Sequence, residues 1–175
     1  MKKKLLILIG TSGSGKSYFS NKIKSLDNKW EIISSDKYRL KTSGEVNIFK
    51  HPIKTFKALD KSIIKAFDEH DYVIYDACNI SKLRRLYLFF HLKYIRSSLD
   101  VTGIVFSIPI DLCLRQNKSE LRDHHVKSYI IVISKILIKF NRPSLNEGFD
   151  KLIRPEDFIY SNYNVKLRDD NIVDY

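Results

Sequence analysis

"GTSGSGKS", residues 10–17, decides how the rest of the chain is read. It satisfies the pattern G-x-x-x-x-G-K-[ST]. In such a loop the backbone N–H groups of Gly10, Thr11, Ser12, Gly13, Ser14 and Gly15 converge on an oxyanion, and the following helix adds its positive end. The lysine, Lys16, reaches the β- and γ-phosphates, and the hydroxyl of Ser17 ligates Mg²⁺. At average residue frequencies the pattern arises by chance in roughly one chain of this length in a hundred. The flanks reduce that chance. Lys4 to Ile9 is a short apolar run, and Lys16 to Leu26 carries Phe19, Ile23 and Leu26 at helical spacing. The chain therefore opens strand, loop, helix, and ATP or GTP binding is its firmest implication, against a glycine turn with no ligand.

Working outward, Trp30–Ser34 reads as a second strand and "YVIYD" (72–76) as a third, apolar throughout as a buried parallel strand is. Between them Phe56, Leu59, Ile63, Ile64 and Phe67 mark one face of a helix. A helix over about Lys82 to Ser97, a strand at 101–108, a helix after Pro109 and a last strand at 149–153 follow. Residues 122–140 stay ambiguous, since "YIIVI" favours strand while length and the lack of turn residues favour helix. Strands alternating with helices give an α/β fold, a parallel sheet flanked by helices on both faces. With no repeat, linker or low-complexity segment, residues 1–175 form one domain with a C-terminal tail over about 155–175.

Lys and Arg number 31 against 20 Asp and Glu, a formal charge of +11. Lys82, Arg84, Arg85, Lys93 and Arg96 fall in a stretch without an acid, and Arg115, Lys118, Arg122 and Lys127 form a second cluster. Clustering of this kind suggests an anionic partner, with a merely soluble basic surface as the competing reading. Cys78 and Cys113 match no metal or redox spacing, which implies reduced thiols. The apolar run near the N-terminus is too short for a signal peptide. "YIIVISKILI" (129–138) falls short of the roughly 20 residues a membrane span requires. A cytoplasmic protein with no membrane association is expected.

Two acids end strands. Asp36, in "IISSDKYRL" (32–40), follows Ser34 and Ser35, and all three are good helix N-caps. Asp76 closes the third strand, where a carboxylate can hold Mg²⁺ or its waters. The competing role for Asp76 is an N-cap, for which Ser81 is better placed.

"GTSGSGKS", "SSDKYR", "DACN" with Arg84 and Arg85 behind it, "RQNKSELR" and "RPSLNEGFD" together resemble the successive motifs of the P-loop 5′-hydroxyl polynucleotide kinases. The resemblance runs from residue 3 to about 154. The D-x-Y-R and D-A-x-N elements are more specific than the P-loop, and the wider group also holds kinases of small molecules. The resemblance implies the P-loop NTPase type of sheet with a helical lid over about 109–128, ATP and Mg²⁺ as cofactors, and nucleic-acid 5′ ends, RNA or DNA, as substrate. It implies that Asp36 is the general base, that Arg39 holds the acceptor's 3′-side phosphate, and that Arg115 and Arg122 close over the donor from the lid. This lid spaces its arginines more widely than the family does, which brings in Lys118 as an alternative to one of them. Cys78 stands where a threonine is common.

Other features are weaker. A basic solvated face is the plain reading of Arg84 and Arg85, and a nucleic-acid or lid contact the other. His124 and His125 lack a third ligand. Tyr160 and Tyr163 pack on the domain edge or stack on bases. A kinase of a small metabolite or nucleoside, and a non-catalytic nucleotide-dependent switch, stand as alternative functions.

Overall fold

The computed structural model describes residues 2–43, 52–118 and 140–163. The run before the glycine loop forms strand β1, Lys3–Ile9, at the centre of a five-stranded sheet. The order is β2-β3-β1-β4-β5, with β2 Trp30–Ser34, β3 Tyr72–Asp76, β4 Leu99–Val105 and β5 Lys151–Ile153. Every pairing is parallel, with Leu6 opposite Ile74 on one side and Thr102 on the other. Among the described residues six helices connect and flank these strands: α1 Lys16–Leu26, α2 Ser35–Ser43, α3 Pro52–Glu69, α4 Lys82–Leu92, α5 Ile110–Lys118 and α6 Pro155–Tyr163.

Residues Leu5 to Ile9 are all buried, as helices on both faces require. Leu5, Ile7 and Ile9 meet Leu59, Ile63 and Phe67 of α3 and Leu88 and Leu92 of α4. Leu6 and Leu8 point the other way, into Phe19 and Ile23 of α1 and Phe158 and Ile159 of α6. The period of two in the strand meets the 3.6 period of four helices, and each supplies one stripe.

The expected α1, β2 and β3 hold as read. The expected strand at 101–108 lies at Leu99–Val105, and α4 ends at Leu92 instead of near Ser97. Arg96 explains the early turn: its guanidinium donates to Gly148 O, to Leu99 O at 3.1 Å and to the Asp150 carboxylate at 2.9 Å, tying this turn to the approach of β5. The expected tail begins as a helix. Pro155 opens α6, Glu156 and Asp157 occupy its first turn as the helix dipole favours, and Phe158 and Ile159 are buried. Trp30 Nε1–H donates to the Tyr163 hydroxyl at 2.9 Å, so Tyr163 packs on the domain edge. Residues 119–139, which carry Arg122, His124, His125 and most of the ambiguous region, lie outside the described residues.

The reading of Arg84 and Arg85 as a solvated or nucleic-acid-binding face is overturned. Arg85 is fully buried, and all five of its N–H donors are used. Nε and Nη2 grip the Glu147 carboxylate at 2.6 and 3.0 Å; Nη1 serves the carbonyls of Asn79 and Ile80, and Nη2 that of Asn141. Arg84 reaches the buried carboxylate of Asp60 and the Tyr75 hydroxyl, with its guanidinium 4.5 Å from the centre of the Phe56 ring. Their acids lie 24 and 62 residues away, beyond the reach of any local charge count. Ser81 does not cap α4 through its side chain; Asn141 Oδ1 accepts the Lys82 N–H at 3.2 Å instead.

Removing one partner of a buried ion pair strands the other's charge and several carbonyls. Arg85→Ala should therefore destabilise the protein by about 3–5 kcal/mol in urea denaturation, well beyond the effect of truncating exposed Lys82.

Candidate active site

Gly10 leaves β1 and must lack a side chain. A Cβ there would stand 2.7 Å from Ser14 Oγ and 2.8 Å from Phe106 Cβ. Gly15 is needed for a different reason, a φ of +85° at the start of α1, and a Cβ there would meet nothing within 4 Å. The loop thus surrounds open space at a helix N-terminus, as a phosphate cradle requires. Lys16 Nζ–H groups donate to Thr11 O and, at 3.3 Å, to Ser14 Oγ.

The loop is anchored from both sides. Gly10 N–H donates to Cys78 O at 2.9 Å, and Asn79 Nδ2 donates to Leu8 O at 2.9 Å. This accounts for the "DACN" element: Asn79 adopts a left-handed φ of 46° and clamps the end of β3 to β1. Cys78 contributes its carbonyl, and its side chain is not part of this bond. Thr11 Oγ1 lies 3.3 Å from Cys113 Sγ, which joins α5 to the loop.

Asp76 is buried at the end of β3, with the Ser17 hydroxyl close enough to favour its charged form. Burial pushes its pKa above the ordinary carboxylate value; Lys16 and Ser17 oppose that rise, while Asp36 adds to it. Lys16, Ser17, Asp76 and Asp36 therefore share one electrostatic neighbourhood. Asp36 opens α2, and Ser34 Oγ accepts the Lys37 N–H at 3.4 Å, so the serine acts as the cap. The Asp36 side chain is 53 % exposed, held through Oδ1 alone by Arg39 Nη1 at 3.1 Å and Ser35 Oγ at 3.3 Å. Arg39 itself is buried, its guanidinium 5.8 Å from the centre of the Phe56 ring. Arg115 is exposed on α5, one residue from Gln116, and Lys118 ends that helix.

A cavity of about 230 Å³ opens beside the loop, between Gly15, Tyr18 and Phe19 on one side and Phe106, Gln116 and Pro155 on the others. Gly15 apart, motif reading gave none of these residues a place in the site. "RPED" at 154–157 held the signal, a proline-opened helix with acids in its first turn placed directly after a strand. Among the described residues no helix is long and apolar enough to cross a membrane, and no cluster of three or more His, Cys, Asp or Glu is placed to hold a metal. Mg²⁺ needs no such cluster, being bound by one or two protein oxygens with phosphates and waters. The desolvated Asp76 carboxylate and the Ser17 hydroxyl against it fit that ion.

The family described as chromatin associated protein KTI12 matches residues 4–154. No curated protein matches the chain's sequence. Among solved structures, a fungal RNA kinase is similar with a TM-score of 0.66 at 17% identity over 98% of this chain. A Pnkp1/Rnl/Hen1 complex is similar with a TM-score of 0.56 at 27% identity over 72%. The chain spans 48% and 42% of those two proteins. The APS kinase of Mycobacterium tuberculosis, in complex with AMPPNP and APS, has a TM-score of 0.63 at 16% identity, covering 89% of this chain and 90% of that one. The fold is that of the P-loop kinases.

Because the folded-state pKa of Asp76 is raised, its contribution to stability is complete below the ordinary carboxylate pKa and is lost as pH rises through the raised value. Asp76→Asn should then melt at a higher temperature than the wild type near neutral pH, with the gap closing towards the ordinary carboxylate range of about pH 4. Thermal melts in metal-free buffer across that range check it.

Proposed function

The chain belongs to the family described as chromatin associated protein KTI12, and from that premise we propose that it is an ATP-dependent kinase of the 5′-hydroxyl end of a nucleic-acid strand. The observation that carries this reading is the state of Asp36. Both of its described bonds use Oδ1, its side chain is half in solvent, and its charge acts on Asp76 beside the phosphate loop. A carboxylate held through one oxygen at the carboxyl edge of a parallel sheet is placed to take a proton with the other.

This reading gives each residue a role. Residues Gly10 to Ser17 hold the triphosphate, and the cavity lined by Tyr18, Phe106 and Pro155 receives the base. Mg²⁺, held by Ser17 and Asp76, would neutralise charge on the β- and γ-phosphates. The acceptor oxygen forms its bond to the γ-phosphorus as the bond to the β-bridging oxygen breaks, and the hydroxyl proton passes to Asp36. Arg39 orients that carboxylate and brings positive charge towards the phosphate on the acceptor's 3′ side. Arg115 brings charge to the donor from α5, a role that the resemblance extends to Arg122. A fungal RNA kinase and the Pnkp1/Rnl/Hen1 RNA repair complex both resemble this chain, which supports the acceptor class. A second reading has its own support: APS kinase, which acts on a small metabolite, matches nearly end to end.

Incubation with γ-labelled ATP, Mg²⁺ and a panel of 5′-hydroxyl RNA and DNA oligonucleotides, nucleosides and sugars separates the two. Label on oligonucleotide ends is expected; label on sugars or nucleosides alone selects the metabolite reading, and label on none removes both in favour of a nucleotide-dependent switch. Asp36→Asn should lower kcat by about 10²–10⁴ with the KM for ATP unchanged. Equal losses in the two would assign Asp36 to the metal or the fold.

A further inference from the structure

Three arginines of the acid-free stretch are engaged by acids of the same chain, so the longest exposed basic ridge among the described residues is on another helix. On α3, Lys54, Lys57, Lys61 and Lys65 are all exposed and recur at intervals of three and four, a ridge of about 16 Å along one face. No ion pair joins any of them to an acid among the described residues. The other acids of α3, Asp68 and Glu69, lie in its last turn.

The neighbouring helix and the turn that follows it carry a ridge of another kind. Tyr87, Phe90 and Tyr94 are 41, 60 and 85 % exposed, and Lys93 Nζ stands 4.7 Å from the ring centres of both Phe90 and Tyr94. The helices are clasped together, since Asp60 of α3, flanked by Lys57 and Lys61, receives Arg84 and, at 2.8 Å, His91 of α4. Tyr87 lies between those two partners in sequence and packs on the His91 ring. Lysines and aromatics therefore run side by side. The lysine ridge begins next to the acceptor site, because Phe56, adjacent to Lys57, carries the Arg39 guanidinium on its ring.

We infer that the outer face of α3 and α4 is a docking track for a single-stranded nucleic acid, the body of the strand whose 5′ end is phosphorylated. This rests on the proposed acceptor class. Exposed lysines with no ion pair among the described residues attract phosphates regardless of sequence, and exposed rings stack on bases of any kind. An apolar protein partner would use the aromatics and Leu83 but leave four lysines unexplained.

The test uses the full chain, a 3′-fluorescein-labelled single-stranded RNA and two variants, the double Lys57→Glu, Lys61→Glu and the double Phe90→Ala, Tyr94→Ala. All four side chains are exposed, so the fold should survive, and a melt verifies it. Binding by anisotropy should weaken about tenfold in each variant. In the lysine variant the log–log salt slope should fall by at least about 1.4, or 0.7 for each lysine lost. The KM for RNA should rise, while phosphorylation of a nucleoside 3′-phosphate stays within about twofold of wild type. Variants that bind and label RNA like the wild type overturn the track and leave the kinase reading in place. Salt-dependent RNA binding that the variants lose, in a protein that labels no 5′ end, upholds the track and removes the kinase reading. Variants that bind RNA normally but lose an acidic amphipathic peptide overturn the track in favour of a protein partner.

Discussion

The buried grip of Arg85 on Glu147 is the contact on which the site depends. Its five donors hold the loop after β3 at Asn79 and Ile80, and the chain before β5 at Asn141 and Glu147. The same loop supplies Cys78 O to Gly10 and Asn79 Nδ2 to Leu8, so a guanidinium outside the cleft sets where β1 releases the phosphate loop. A buried pair gives little net stability against an apolar substitute, but it demands one geometry. That demand suits a site in which Asp76 must stand against Ser17.

Much of this was legible beforehand, and the division follows distance along the chain. The glycine loop, α1, β2 and β3 came out where patterning placed them, because each is decided within one turn of helix or one strand. The parallel sheet flanked by helices followed from alternation and from apolar strands buried on both sides, whereas its strand order was not read. Arg84 and Arg85 were misread because their acids are remote in sequence, so an acid-free stretch looked like a basic surface. The four lysines of α3 received no comment, since they are interleaved with the apolar residues that dominated the reading of that helix.

The site was legible as motifs and illegible as a cavity. Gly10 to Ser17, Asp36 and Asp76 were named from type and position, and the structure brings Lys16, Ser17, Asp76 and Asp36 into one field. Arg39 is deeper than its expected role suggests, spending its reach on Asp36 and Phe56. The wall formed by Tyr18, Phe106 and Pro155 draws on three distant segments, none with a motif of its own. Treating residues beyond 155 as a tail hid one side of that wall.

The packing of α6 has an optical consequence. Trp30 is the only tryptophan in the chain, and it is buried at the start of β2, edge-on to Tyr72 and Phe158 and bonded to the Tyr163 hydroxyl. Its emission therefore reports on a single place, the seam between the sheet's outer strand and the last described helix. The first turn of that helix lines the cavity beside the phosphate loop. A ligand that shifts Pro155 or Glu156 acts on the opposite end of the lever that the indole holds, so the protein carries an intrinsic, label-free fluorophore for what enters that cavity.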